Sequence, residues 1–170
     1  TLGWTAYKKL MKQYVALNGA SSPQDKLFAC PADKFYYGPA KSVIVYFPQS
    51  LHQQSLSDYS SYVFNGGNMR TNPITGGFFP GIAGRRLSSI KDPSKTVLVA
   101  ETPSILCYSW HNPQRLPARE YRFNNARNMV SFADGHVGYV SIYWAGPNSR
   151  YIESWEYDPP ASYAYKWSGA

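Results

Sequence analysis

Two cysteines, three histidines and ten carboxylic acids are the groups with which this chain could do covalent or metal chemistry. A thiol nucleophile needs a base within hydrogen-bond reach. Two pairings are open on the sequence, Cys107 with His111 and Cys30 with His136, and neither lies in a nucleophile motif. Cys30 and Cys107 stand far apart and in no paired-cysteine spacing, so their pattern does not announce a zinc site. They either close one long-range disulfide or remain two buried free thiols. Asp134 has two readings: a calcium ligand together with Glu101 and backbone carbonyls, or a turn former. Asp134-Gly135 between two strands already accounts for it, and the second reading is preferred. His136, just after the turn, is expected as an exposed strand residue. Glu101, Glu120, Glu153 and Glu156 are spread along the chain and could meet only in three dimensions. The glycines of 65–84 are not followed by Lys-Ser or Lys-Thr at a helix start, so they do not form a phosphate loop. These residues announce no catalytic constellation, and the chain is expected not to be an enzyme.

The elements that must position these residues are legible in part. Trp4, Tyr7, Leu10, Met11, Tyr14, Val15 and Leu17 recur every three or four residues, which predicts an amphipathic helix over 4–17. Lys8, Lys9, Lys12 and Gln13 fill its other face, and the aromatic stripe is expected to face the core. Asn18-Gly19 is a helix stop. Residues 20–42 read as loop. Strands are predicted at 43–47 and 59–64, at the apolar run 96–100, and at 129–133 and 136–143. Residues 96–100 lack polar alternation and should form a central, buried strand. Asp134-Gly135 predicts a two-residue type I′ hairpin. Residues 65–86 and 103–120 read as long loops, and 146–170 as an irregular tail. One helix followed by short strands predicts an α+β fold, the N-terminal helix packed on an antiparallel β-sheet with long irregular loops, in one domain spanning 1–170.

Bulk composition agrees. Hydrophobic residues make up 44% of the 170 and charged residues 16%, while 15 Tyr, 13 Gly and 13 Pro favour strands and turns over a helical bundle. The net charge is +7, and its Lys and Arg are scattered, densest at Lys8, Lys9 and Lys12, at Arg85 and Arg86, and at Arg115, Arg119, Arg122 and Arg127. No nucleic-acid motif accompanies it, and nucleic acid is not an expected partner. No stretch approaches the length of a membrane span, and no signal peptide is present. Trp110, Trp144, Trp155 and Trp167, with the many Tyr, either fill the core or form an exposed face that stacks on sugar rings. An extracellular carbohydrate-binding module is therefore the alternative to a structural role, and exposure of these rings separates the two.

The run FNNARNMVSFADGHVGYV resembles the C-terminal signature of bacterial prepilin-type proteins, the His-x9-Asp-Gly domain related to type II secretion pseudopilins and type IV pilins. LFACPAD at 27–33, with Cys30 and Pro31, resembles the Cys-Pro-Ser-Asp segment of that family. SYVFNGG at 61–67, with Asn65, resembles its Ser-Tyr-x-x-Asn segment, and SKTVLVAE at 94–101 resembles the strand that ends in Glu101. The four segments fall in the family's order over about two-thirds of the chain. Asn124 stands where the signature has His, ten residues before Asp134 of the Asp134-Gly135 pair, so any chemistry of that His is not carried over. The resemblance implies an extracytoplasmic pilin-like head, a structural subunit whose partners are other pilin or pseudopilin subunits and the secretion machinery. It implies no cofactor, with calcium in the C-terminal loops as the one candidate. The family also carries a cleaved leader and a long apolar helix anchoring it in the inner membrane. Neither is in this sequence, and the helix at 4–17 is either the solvent-side end of that longer helix or a separate one.

Overall fold

The computed structural model describes residues 7–40, 43–115, 120–149 and 153–170. Trp4 and the start of the predicted helix, and Pro117 and Arg119 of the predicted loop 103–120, lie outside the described residues. The fold is α+β. Among the described residues there are two sheets, both antiparallel. Strands β1 (Tyr36–Ala40) and β2 (Val43–Phe47) pair with each other. Strands β3 (Tyr62–Phe64), β4 (Val97–Glu101), β5 (Ala126–Phe132) and β6 (Val137–Ile142) form a second sheet in that order. The apolar run at 96–100 thus becomes β4, flanked on both sides as predicted, but Leu98 and Val99 are only half-buried because that face of the strand lines a groove. β1 falls in the stretch read as loop: Gly38-Pro39 looks like a turn in sequence, yet a strand with one neighbour tolerates proline.

The main sheet buries Val63, Val97, Ala100, Val130, Phe132, Val140 and Ile142 with Phe79, Trp155, Tyr165 and Trp167. The tail supplies three of these rings. It is tied along β4 by Val97 N–H donating to the Lys166 carbonyl at 3.0 Å and Lys166 N–H donating to the Lys95 carbonyl at 2.8 Å. A second cluster, with Cys30, Tyr36, Leu51, Tyr108, Trp110, Tyr121, Phe123 and Ala126, joins the small sheet to the large one. Trp110, Trp144, Trp155 and Trp167 are all buried, so none belongs to an exposed stacking face.

Helix α1 (Tyr7–Lys12) lies beside β3: the Tyr7 hydroxyl is 3.2 Å from Ser60 Oγ and donates to the Tyr62 carbonyl at 3.4 Å. Its facing departs from the predicted one, although Tyr7 packs against Phe28 and Phe64 and Lys9 and Gln13 stay exposed as expected. Lys8 and Lys12 are buried, while Leu10, Met11 and Tyr14 are exposed, Tyr14 by 76%. The period is the same for both faces, and the neighbours decide between them. The Lys8 ammonium sits 3.0 Å from Asp25 Oδ2 and donates to the carbonyls of Asp58 and Tyr59, each at 2.9 Å. Lys12 donates to Asp25 Oδ2 at 2.9 Å and to the Ala20 carbonyl at 2.8 Å. A pocket of one acid and three carbonyls accepts ammoniums, not apolar side chains. The helical stretch also stops earlier than Asn18-Gly19. A short 3-10 turn, Gln13–Val15, follows α1, and Ala16 turns left-handed at φ 56°.

Two further local corrections concern loops. Thr102–Leu106 forms a short helix, α2, with proline in its first turn and Cys107 as its left-handed cap at φ 60°. At the β5–β6 hairpin only Gly135, and not Asp134, has positive φ. Phe132 N–H donates to the His136 carbonyl at 2.9 Å and Gly135 N–H to the Phe132 carbonyl at 3.0 Å. The loop is therefore three residues, Ala133-Asp134-Gly135, a type I turn closed by a glycine bulge rather than a type I′ turn.

Candidate functional site

Cys30, Glu101 and His111 meet at the junction of the two clusters. Glu101 ends β4 and is 1% exposed. Its Oε2 accepts the Met129 backbone N–H at 2.8 Å, which fixes the carboxylate against β5. Its Oε1 takes the Cys30 thiol at 3.1 Å and lies 2.7 Å from His111 Nε2. Cys30 Sγ and His111 Nε2 are 3.7 Å apart. The three ligand-type atoms all lie within 4.8 Å of one another. Cys30 and Glu101 are buried, and the His111 side chain is 32% exposed, so the cluster opens to solvent only across the imidazole.

The sequence places these residues by short local devices. Cys30 opens a turn in which Asp33 N–H donates to the Cys30 carbonyl at 3.0 Å. The backbone N–H groups of Ala32 and Asp33 face the sulfur. The Asp33 carboxylate then accepts the N–H groups of Leu51 and His52, each at 2.8 Å, and the Ser61 hydroxyl at 2.7 Å. Ser61 Oγ in turn accepts the Cys30 N–H at 2.9 Å. Tyr62, directly opposite Glu101 in the β3–β4 register, brings its hydroxyl beside Cys30. All four segments that carry the family resemblance contribute: Cys30 and Asp33, Ser61 and Tyr62, Glu101, and the backbone of Met129.

The electrostatics of the cluster are those of a protected acid network. Burial, then the bond to Glu101, pushes the Cys30 thiol up to about 12. Burial, followed by the charges of Cys30 and Glu101, also raises the Tyr62 hydroxyl. An activated cysteine needs the opposite, a lowered pKa in electropositive surroundings. Thiol, imidazole and carboxylate are together here, but the carboxylate sits between the other two instead of behind the imidazole. That geometry does not set up proton abstraction from the thiol.

The other predicted residues go elsewhere. His111 pairs with Cys30 and not with Cys107, and His136 is at the hairpin tip. Cys107 is buried and free, as is Cys30, so the two do not form a disulfide. Asp134 and Glu101 do not share a calcium site. Val97 pairs with Phe132, and Glu101 closes the other end of β4, about 13 Å along the strand. Asp134 Oδ1 is engaged by His136, from the backbone N–H at 3.1 Å and from ring Nδ1 at 2.7 Å, and these bonds hold its carboxyl below the usual range. Glu120 bonds Arg122, while Glu153 and Glu156 form a reciprocal cap around the turn Ser154–Glu156, so the four glutamates do not converge.

Asn124 precedes β5, and its Oδ1 accepts the N–H groups of Asn125 at 2.9 Å and Trp144 at 3.0 Å, pinning the entry of β5 to the exit of β6. Asn65 Nδ2 donates to the carbonyls of Val97 at 2.7 Å and Trp167 at 2.8 Å, tying β3 to the tail. His111, Asp33, Ser61 and Tyr62 were not singled out together in the sequence. The contact between Cys30 and His111 crosses 81 residues, and no local spacing signals it.

No family model, no curated protein and no solved structure matches the chain.

Proposed function

We propose that this chain is the extracytoplasmic head of a pilin-like or pseudopilin-like subunit, a structural protein of a type II secretion pseudopilus or type IV pilus-like filament. The observation that carries the reading is the outward apolar face of α1. Leu10, Met11 and Tyr14 are exposed on the helix. Beside them Phe64, Met69, Leu98 and Val99 line an open apolar groove with Tyr7. An exposed apolar stripe of this kind is covered by another surface when the protein works. In the class the sequence resembles, helices of neighbouring subunits provide that cover. The Lys8–Asp25–Lys12 network supports the same reading, because it anchors the opposite face of the helix to its own head and leaves the apolar face free.

Partners in this reading are other filament subunits and the secretion machinery, with an inner-membrane anchor supplied by a segment outside this sequence. Among the described residues no helix is long and apolar enough to cross a membrane.

The test is photo-crosslinking in bacteria that express the complete reading frame. A crosslinker at Leu10 or Tyr14 should give a ladder of subunits in the envelope fraction, and one at His136 should not. Equal labelling at both positions, or a free monomer in the cytosol, overturns the reading.

A further inference from the structure

We propose that Cys30 Sγ, Glu101 Oε1 and His111 Nε2 form a binding site for one zinc-class divalent transition-metal ion. The inference is independent of the filament reading.

Geometry is the first argument. Around a tetrahedral zinc with sulfur at about 2.3 Å and nitrogen or oxygen at about 2.1 Å, ligand atoms stand about 3.4–3.6 Å apart. Sγ and Nε2 are already 3.7 Å apart, too long to be held by a strong mutual bond and close to the spacing that a shared ion imposes. The two contacts to Oε1, at 3.1 and 2.7 Å, are hydrogen bonds and need to open by about 0.5 and about 0.7 Å to admit an ion.

The surrounding shell is the second argument. Met129 N–H occupies Oε2 and leaves Oε1 as a single ligand oxygen. The N–H groups of Ala32 and Asp33 face the sulfur, as donors that stabilise a metal-bound thiolate do. Ser61 and Asp33 lock the Cys30 turn from behind. Two of the three ligands, Cys30 and Glu101, therefore have supporting partners, which is the half of a metal site that a chance cluster lacks.

The donor set selects the metal. Calcium takes oxygen ligands only, and a thiolate with an imidazole suits zinc or its first-row neighbours. On binding, the thiol proton leaves to solvent and the dication supplies the positive charge that a thiolate otherwise lacks here. The fourth position is left to a water entering past His111, the exposed edge of the site.

The experiment is titration of the chelator-treated protein with Co(II), followed by its thiolate-to-cobalt charge-transfer absorption, with competition by Zn(II). One Co(II) per chain should bind with that band, and Zn(II) should displace it. His111→Ala, on the half-exposed edge of the site, should lower affinity at least tenfold, as losses around metal ligands do. Cys30→Ser should abolish the band. Circular dichroism of each variant checks that it is folded. A folded wild-type protein that shows no charge-transfer band overturns the proposal. So does cobalt binding that His111→Ala leaves unchanged, which would mark an adventitious surface ion.

Discussion

Lys8, with no exposed surface, places its ammonium 3.0 Å from Asp25 Oδ2, so α1 meets its own domain through buried charge beside the packed Tyr7 ring, while Leu10, Met11 and Tyr14 of the apolar stripe stay exposed. Asp25 also receives Lys12 at 2.9 Å, and one carboxylate therefore balances two buried cations. Removing a partner from a buried pair leaves an uncompensated charge, which costs about 3–5 kcal/mol. Asp25→Asn should lose stability on that scale in urea denaturation. A loss below about 1 kcal/mol would show that the lysines reach water and that the helix is not held as described.

The opposite face gives the complementary prediction. Leu10 is 67% exposed. Leu10→Ser should change the stability of the isolated head by no more than about 0.5 kcal/mol, as exposed substitutions do. If the aromatic stripe were the core-facing side, the same change would cost about 2–5 kcal/mol. One denaturation curve separates the two facings.

Asp25 also makes acid sensitivity predictable. Burial alone would raise its pKa, but the bonds from Lys12, the Ser22 N–H and Lys8 outweigh burial and hold it down to about 2. A carboxylate depressed in the folded state contributes stability above its unfolded value, near about 4, and the contribution is lost as pH falls from there toward the folded value. Unfolding free energy should drop between about pH 4 and pH 2. Asp134 and Glu120, whose pKa values are also lowered, add slope in the same direction. The difference between wild type and Asp25→Asn isolates the share of Asp25, and parallel pH profiles would refute its role.

Local signals in the sequence are sufficient for five of the six described strands and insufficient for β1, the facings and the site. The runs that became β2, β4 and β5 are β-branched or apolar, so their strand character is local. Whether α1 buries lysine or leucine depends on Asp25 and on carbonyls at 58 and 59, around fifty residues away, and no periodicity encodes that. β1 and α2 were missed because Gly38-Pro39 and Pro103 read as breakers, although an edge strand and a first helical turn both accept proline. Cys30, Glu101 and the Met129 segment were marked by resemblance. In sequence His111 stands nearest to Cys107, whereas the fold brings it to Cys30.

Two glycines should behave differently. A Cβ on Gly67 would lie 2.1 Å from the Pro80 carbonyl oxygen, a backbone atom that cannot rotate away. A Cβ on Gly135 meets nothing within 4 Å, so only its φ of +94° opposes a side chain. Gly135→Ala should cost about 1–2 kcal/mol, the usual strain of a left-handed residue. Gly67→Ala forces main-chain movement between β3 and the 78–82 loop and should cost clearly more, about 3 kcal/mol or above. Urea midpoints of the two variants give the comparison. Equal losses would mean that the loop at Pro80 does not approach Gly67 as described.

The thiols provide the last prediction, because they separate a protected network from a nucleophile. Burial pushes Cys107 up to about 12, and Cys107 has no exposed surface. Cys30 is raised to the same level by burial and by Glu101. With a pKa near 12, the thiolate fraction at pH 8 is about one in ten thousand, and the thiolate is the reactive species. Chelator-treated native protein should therefore react with Ellman's reagent at pH 8 only as fast as it opens, and two thiols should appear at once in denaturant. Slow native reaction should also fall in step with any stabilising change, since opening limits it. A rapid single equivalent in the native state, removed by Cys30→Ser, would mean that His111 takes the thiol proton. Such a result would turn the cluster from a metal-type or structural network into a candidate nucleophile, and with it the expectation of a non-enzymatic chain would fall.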